Sequence, residues 1–103
     1  MQVMLDFCVV PIGVGVSVSA YVAECQRVLR ASGLSHQMHA YGTVVEGEWE
    51  AVFATLRQCH ERVHAMGAPR ISTSIRLGTR TDRTQTSADK IESVRDKLAD
   101  ERG

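Results

Sequence analysis

The run Val3–Val10, VMLDFCVV, constrains the fold more than any other stretch of this chain. A strand sends successive side chains to opposite faces, so its two alternating sets can be read separately. One set is Val3, Leu5, Phe7 and Val9; the other is Met4, Asp6, Cys8 and Val10. Both are apolar except at Asp6, the pattern of a central strand covered on both faces. Pro11 and Gly13 are expected to end it.

Beyond this strand the period changes. Val18, Val22, Cys25 and Leu29 recur at steps of four and three, which predicts a helix over about residues 18–32. Ser17 or Ser19 would cap its start through a hydroxyl, and Gly33 its end in the left-handed conformation. Residues 36–46, HQMHAYGTVVE, are rich in strand formers and read as two short strands or a bent hairpin with Gly42 near the turn. A second helix is predicted over about 48–66, on the stripe Val52, Leu56, Cys59, Val63 and Met66, with Gly67 and Pro69 stopping it. RISTSIRLG is the fourth strand, with Ile71, Thr73, Ile75 and Leu77 on one side and Ser72, Ser74 and Arg76 on the other. TRTDRTQTS is a polar loop. Ser87 can then cap a last helix with Ile91, Val94 and Leu98 as its stripe, and the DERG tail is expected to fray.

The order β-α-β-β-α-β plus a C-terminal helix predicts an α+β, ferredoxin-like sandwich. It has a four-stranded antiparallel sheet with two helices on one face. A chain of 103 residues makes one such domain, 1–103. Helices on one side leave Met4, Cys8 and Val10 on the other, too apolar for water. A second subunit packed sheet to sheet, or the last helix covering part of the face, should shield them, so oligomerisation is expected.

Charge narrows the partners. Lys+Arg and Asp+Glu balance at 12 each, so no net field draws nucleic acid or an anionic membrane. Positive charge gathers only at Arg76, Arg80 and Arg83. The first residues, MQVMLDFCVVPIG, lack a basic start and read as a strand and not a signal peptide. No apolar run approaches the roughly 18 residues of a membrane span. Three widely spaced cysteines without CxxC spacing suggest neither a disulfide framework nor a zinc site. A reducing, cytoplasmic setting is expected.

On the open face Asp6, Ser72, Ser74 and Arg76 are the polar residues, and Asp6 is expected to pair with Arg76 across adjacent strands. The pair either fixes a subunit interface or lines a small-molecule pocket with apolar walls. His60 and His64 fall in HERVH, which formally matches HExxH. Zincin chemistry also needs a third ligand and a cleft, and the buried helix face is already defined by Cys59 and Val63, so these are expected to be helix-surface histidines. PIGVGVSVS follows a strand and opens a helix, yet lacks both the GxGxxG spacing and a P-loop lysine.

Three segments then coincide in order and spacing: PIGVGVSVS at Pro11–Ser19, SGL at Ser32–Leu34 and GTVVEG at Gly42–Gly47. Together they resemble the small thiamine-binding protein family, relatives of the YkoF-type thiamine-binding domains, over about Val3–Leu98. The resemblance implies a ferredoxin-like homodimer or homotetramer that binds thiamine or its hydroxymethylpyrimidine portion, with no required cofactor, no metal and no enzymatic activity. By position it points to Ser17, Ser19, Thr43 and Glu46 as ligand-binding residues, beside Asp6 and Arg76 from the open face. An aminopyrimidine suits such a set: carboxylates accept its N–H groups, and hydroxyls both give and accept. Tyr41 and Trp49 are rings that could face a cationic thiazolium. For Trp49 the alternative is packing, and for Glu46 it is an anion at the start of a helix. Two other functions stay open: a structural or regulatory homo-oligomer without a ligand, and an enzyme using Glu46 or Asp6 with His39 as acid–base pair.

Overall fold

In the computed structural model, residues 1–82 and 87–102 are described. The elements run β1 (Gln2–Ile12), α1 (Ser19–Ser32), β2 (Ser35–His39), β3 (Gly42–Glu48), α2 (Trp49–Ala65), β4 (Arg70–Thr79) and α3 (Ser87–Arg102). The sheet order is β2-β3-β1-β4 with every neighbouring pair antiparallel, the ferredoxin-like arrangement. β1 is central, as its two apolar sets require. Val3, Leu5, Phe7 and Val9 are buried beneath the helices, together with Val45 of β3. From above come Cys25, Val28 and Leu29 of α1, and Val52, Leu56, Cys59 and Val63 of α2. Trp49 packs on this core and meets Phe53 at 4.8 Å between ring centroids, so its ring serves packing.

β1 runs through Pro11 to Ile12 and yields only at Gly13, whose φ of 87° is a left-handed turn. Pro11 is tolerated because β3 pairs with β1 only as far as Phe7, and beyond it β4 is the sole neighbour. Neither predicted serine caps α1. The N-cap is Val18, whose carbonyl takes the amides of Tyr21 and Val22 at 3.0 and 3.1 Å, with no side-chain cap bond. A hydroxyl reaches the first orphan amides only from the N-cap position, and Ser17 and Ser19 flank it. Gly33 does end α1 in the left-handed conformation. At α2 the N-cap is Glu48, and its carboxylate accepts the Met1 amino group at 2.7 Å and Gln2 Nε2 at 3.1 Å instead of helix amides. Glu46 lies before this, inside β3, paired with Met4 and Ser35; it is therefore not an anion at the helix start.

Two apolar expectations are corrected. Met66, read as the last member of the α2 stripe, is 41% exposed at the C-cap, because the stripe completes at Val63. Ile75 and Leu77 share the register of Phe7 and Leu5, yet are 43% and 41% exposed, because β4 is the edge strand and the helices pack over β1 and β3 more than over it. The last helix forms, but it does not cover the open sheet face. Ile91, Val94 and Leu98 are 53%, 57% and 51% exposed. The central part of TRTDRTQTS, with Arg83, and the final glycine of the tail lie outside the described residues.

Candidate functional site

The face of the sheet turned away from the helices holds a groove of about 500 Å³. Its lining includes Asp6 and Cys8 from β1, Ser74 and Arg76 from β4, His39 from the end of β2 and Tyr41 from the β2–β3 connection. Strand parity explains the gathering. Asp6, Cys8, Ser74 and Arg76 all belong to the alternating set opposite the core, with Asp6 level with Arg76 and Cys8 level with Ser74. His39 is level with Gly42, and Gly42 has no side chain to fill the space between β2 and β1. That absence is enforced, since a Cβ on Gly42 would collide with the Phe7 carbonyl oxygen.

His39 reaches across this gap and its Nε2 lies 2.6 Å from Asp6 Oδ1. Its Nδ1 accepts the backbone N–H of Tyr41 at 3.2 Å. An accepting Nδ1 carries no proton, so the Nε2–H tautomer is set and Nε2 donates to the carboxylate. Both ring nitrogens are thus engaged. Cys8, half-buried in the same groove, has no second histidine in that lining to act as its base. The groove gathers an orientated carboxylate, a guanidinium, a hydroxyl and an aromatic ring on partly apolar walls, groups able to hydrogen-bond and stack with a small molecule.

The expected Asp6–Arg76 pair does not form; Asp6 turns to His39, and the level guanidinium makes no ion pair or side-chain hydrogen bond among the described residues. Arg80 is held by Asp82 through two hydrogen bonds of 2.6 and 2.9 Å. Of the six residues singled out from sequence, the groove gathers Asp6 and Arg76. Glu46 shares the open face but sits further along β3, level with Met4. Ser17 and Ser19 are exposed around the start of α1, outside the groove lining. Thr43 is 3% exposed on the opposite, helix-facing side, where its hydroxyl accepts Gln26 Nε2 at 2.9 Å. Sequence reading joined His39 to Asp6 only as one of two candidate acid–base pairs, the other using Glu46, and did not place Tyr41 beside them. The missing signal was register: only the His39–Gly42 pairing brings that imidazole over β1.

The HERVH histidines have other work. His60 Nε2 lies 2.6 Å from Thr73 Oγ1, tying α2 to β4, and His64 Nδ1 lies 2.8 Å from the Ala68 carbonyl. No group of three or more metal-ligating side chains occurs among the described residues. No helix among them is long and apolar enough to cross a membrane.

Residues 5–95 match the family described as thiamine-binding protein. The chain belongs to that family. It is 63% identical over 94 residues to the UPF0045 protein sll0230 of Synechocystis sp., covering 91% of this chain and 78% of that one. It is 44% identical over 101 residues to the UPF0045 protein ECM15 of Eremothecium gossypii, covering 97% and 96%. Among solved structures, a hypothetical protein from Methanocaldococcus jannaschii, MJ1052, superposes with a TM-score of 0.82 at 27% identity, over 90% of this chain and 95% of that one. A Thermotoga maritima protein described as a candidate thiamine biosynthesis/salvage protein shares the fold, with a TM-score of 0.78 at 16% identity over 91% and 99% of the two chains. The thiamine-binding family supports a small-molecule binding role for this chain.

Proposed function

We propose that this protein is a non-enzymatic, cytoplasmic binding protein for thiamine or a related hydroxymethylpyrimidine compound, working as a homo-oligomer. The observation that carries this reading is the groove in which His39 holds Asp6, set in a chain of the thiamine-binding family. An aminopyrimidine presents an exocyclic amine beside a ring nitrogen. Asp6 Oδ2, which makes no hydrogen bond to another described residue, accepts from the amine, and the Ser74 hydroxyl donates to the ring nitrogen. Tyr41, 86% exposed on the groove's lip, offers a ring face to the heterocycle. The free cysteines, two of them buried, favour a reducing compartment.

Isothermal titration of the folded protein with thiamine, hydroxymethylpyrimidine and their phosphates tests this. Saturable heat with at least one is expected. None with any of them overturns it. The ligand-free reading, a structural or regulatory homo-oligomer, has one observation in its favour: the exposed stripe Ile91, Val94 and Leu98 needs a protein surface, whatever the groove holds.

A further inference from the structure

The groove is charged at both ends, and only one end is already answered. Asp6 is orientated by His39, whereas Arg76 lines the same groove with no ion-pair or side-chain hydrogen-bond partner among the described residues. Asp6 and Arg76 are level on adjacent strands, about 4.8 Å apart in the sheet. They are opposite charges at natural pairing positions, yet the carboxylate leans toward β2 and leaves the guanidinium on the β4 side. Of the other arginines near the end of β4, Arg80 is committed to Asp82. Arg76 is therefore the cation in the groove lining available to a ligand.

A guanidinium presents a planar fork of donors that matches a phosphate or carboxylate. It also disfavours a cation placed beside it. Thiamine carries a positive thiazolium, so an unesterified thiamine sets like charges together at that end of the groove. A phosphate ester reverses the sign of the arm. A volume of about 500 Å³ accommodates a heteroaromatic ring with one phosphoryl group.

We infer that the ligand of this groove is a phosphate monoester of the aminopyrimidine, its amine edge on Asp6 and its phosphoryl group on Arg76. The inference rests on the binding function proposed above and narrows it to the anionic form. The phosphoryl group has two sources, the ester of hydroxymethylpyrimidine or that of thiamine, and both make the same contact with the fork.

Titration calorimetry on the intact protein separates these possibilities. Four ligands are compared, hydroxymethylpyrimidine and thiamine, each with and without its monophosphate. In at least one pair the ester is expected to bind tenfold or more tighter than the alcohol, roughly the strength of one charge-assisted pair. The pair with the larger gain identifies the source. Arg76→Gln should bring that ratio close to one and Arg76→Lys should leave an intermediate value, while Arg57→Gln, a remote exposed arginine on α2, keeps it whole. Alcohols that bind as tightly as their esters overturn the inference and leave the binding function standing. An ester preference that survives Arg76→Gln also overturns it, by placing the anion elsewhere. Absence of binding by all four removes both.

Discussion

His39 decides what Asp6 can do. Left alone, Asp6 would pair with the level Arg76 and the groove would be closed by its own charges; instead the imidazole holds one carboxylate oxygen from the β2 side. Both side chains are 38% exposed, so this contact adds little to stability, on the order of 1 kcal/mol or less. Its importance is orientation. Asp6→Asn should therefore weaken aminopyrimidine binding by about tenfold or more while leaving the melting temperature of the ligand-free protein nearly unchanged. A large fall in melting temperature with unaltered affinity would assign Asp6 a structural role instead. The cysteines provide a second test at this scale. Cys59 is fully buried, its thiol held far above the ordinary value by the adjacent Cys25 thiol and by burial, and Cys25 is 4% exposed beside it. Cys8 alone lines the groove. One thiol per native chain should react with a disulfide reagent, and bound ligand should slow that reaction several-fold; two or three equally fast thiols would contradict the burial.

At the scale of elements, HERVH shows how a motif string and its environment part company. Residues 60 and 64 are one helical turn apart, as a metal pair requires, but each imidazole is occupied by Thr73 or by the Ala68 carbonyl. Burial, and then the neighbouring His64, hold the His60 imidazole below its ordinary value of 6.5. The unfolded chain then binds the proton more readily than the folded one, so stability rises with pH. This contribution is fully present above the ordinary value and is lost as pH falls through it toward the depressed folded value. Thermal melts between about pH 7.5 and pH 5 should show a declining midpoint, and His60→Gln should flatten that slope. An unaltered slope would show that His60 does not titrate with unfolding. Helix positions were legible in the chain because a stripe at steps of three and four has one physical reading, and Gly33 ended α1 as predicted. The caps were less legible. Ser17 and Ser19 have the right chemistry but flank the cap, and Glu48 has the right position but gives its oxygens to Met1 and Gln2.

At the scale of the whole molecule, apolar surface remains unanswered. The radius of gyration is 15.9 Å, above the roughly 13 Å of a compact chain this long. Val10 and Ile12 are 43% and 40% exposed on the open face, and α3 carries its stripe without a partner layer. Burial of such side chains stabilises by about 1.5–3 kcal/mol each when complete, enough in sum to hold subunits together. Gel filtration with light scattering should therefore find an oligomer. Val94→Asp should lower its mass at micromolar concentration while the far-ultraviolet circular dichroism stays unchanged. A monomeric parent protein would refute the assembly. What the amino-acid order determined by itself is the element sequence, the central place of β1 and the core face, because periodicity and burial are local properties of side chains along one strand or helix. The groove was decided elsewhere. Parity places Asp6 and Arg76 on one face, but the Asp6–His39 contact depends on how β2 registers on β3 across Gly42, and on a carbonyl of β1 that forbids a side chain there. Such register joins residues 33 positions apart, and only the folded sheet brings them to hydrogen-bonding distance.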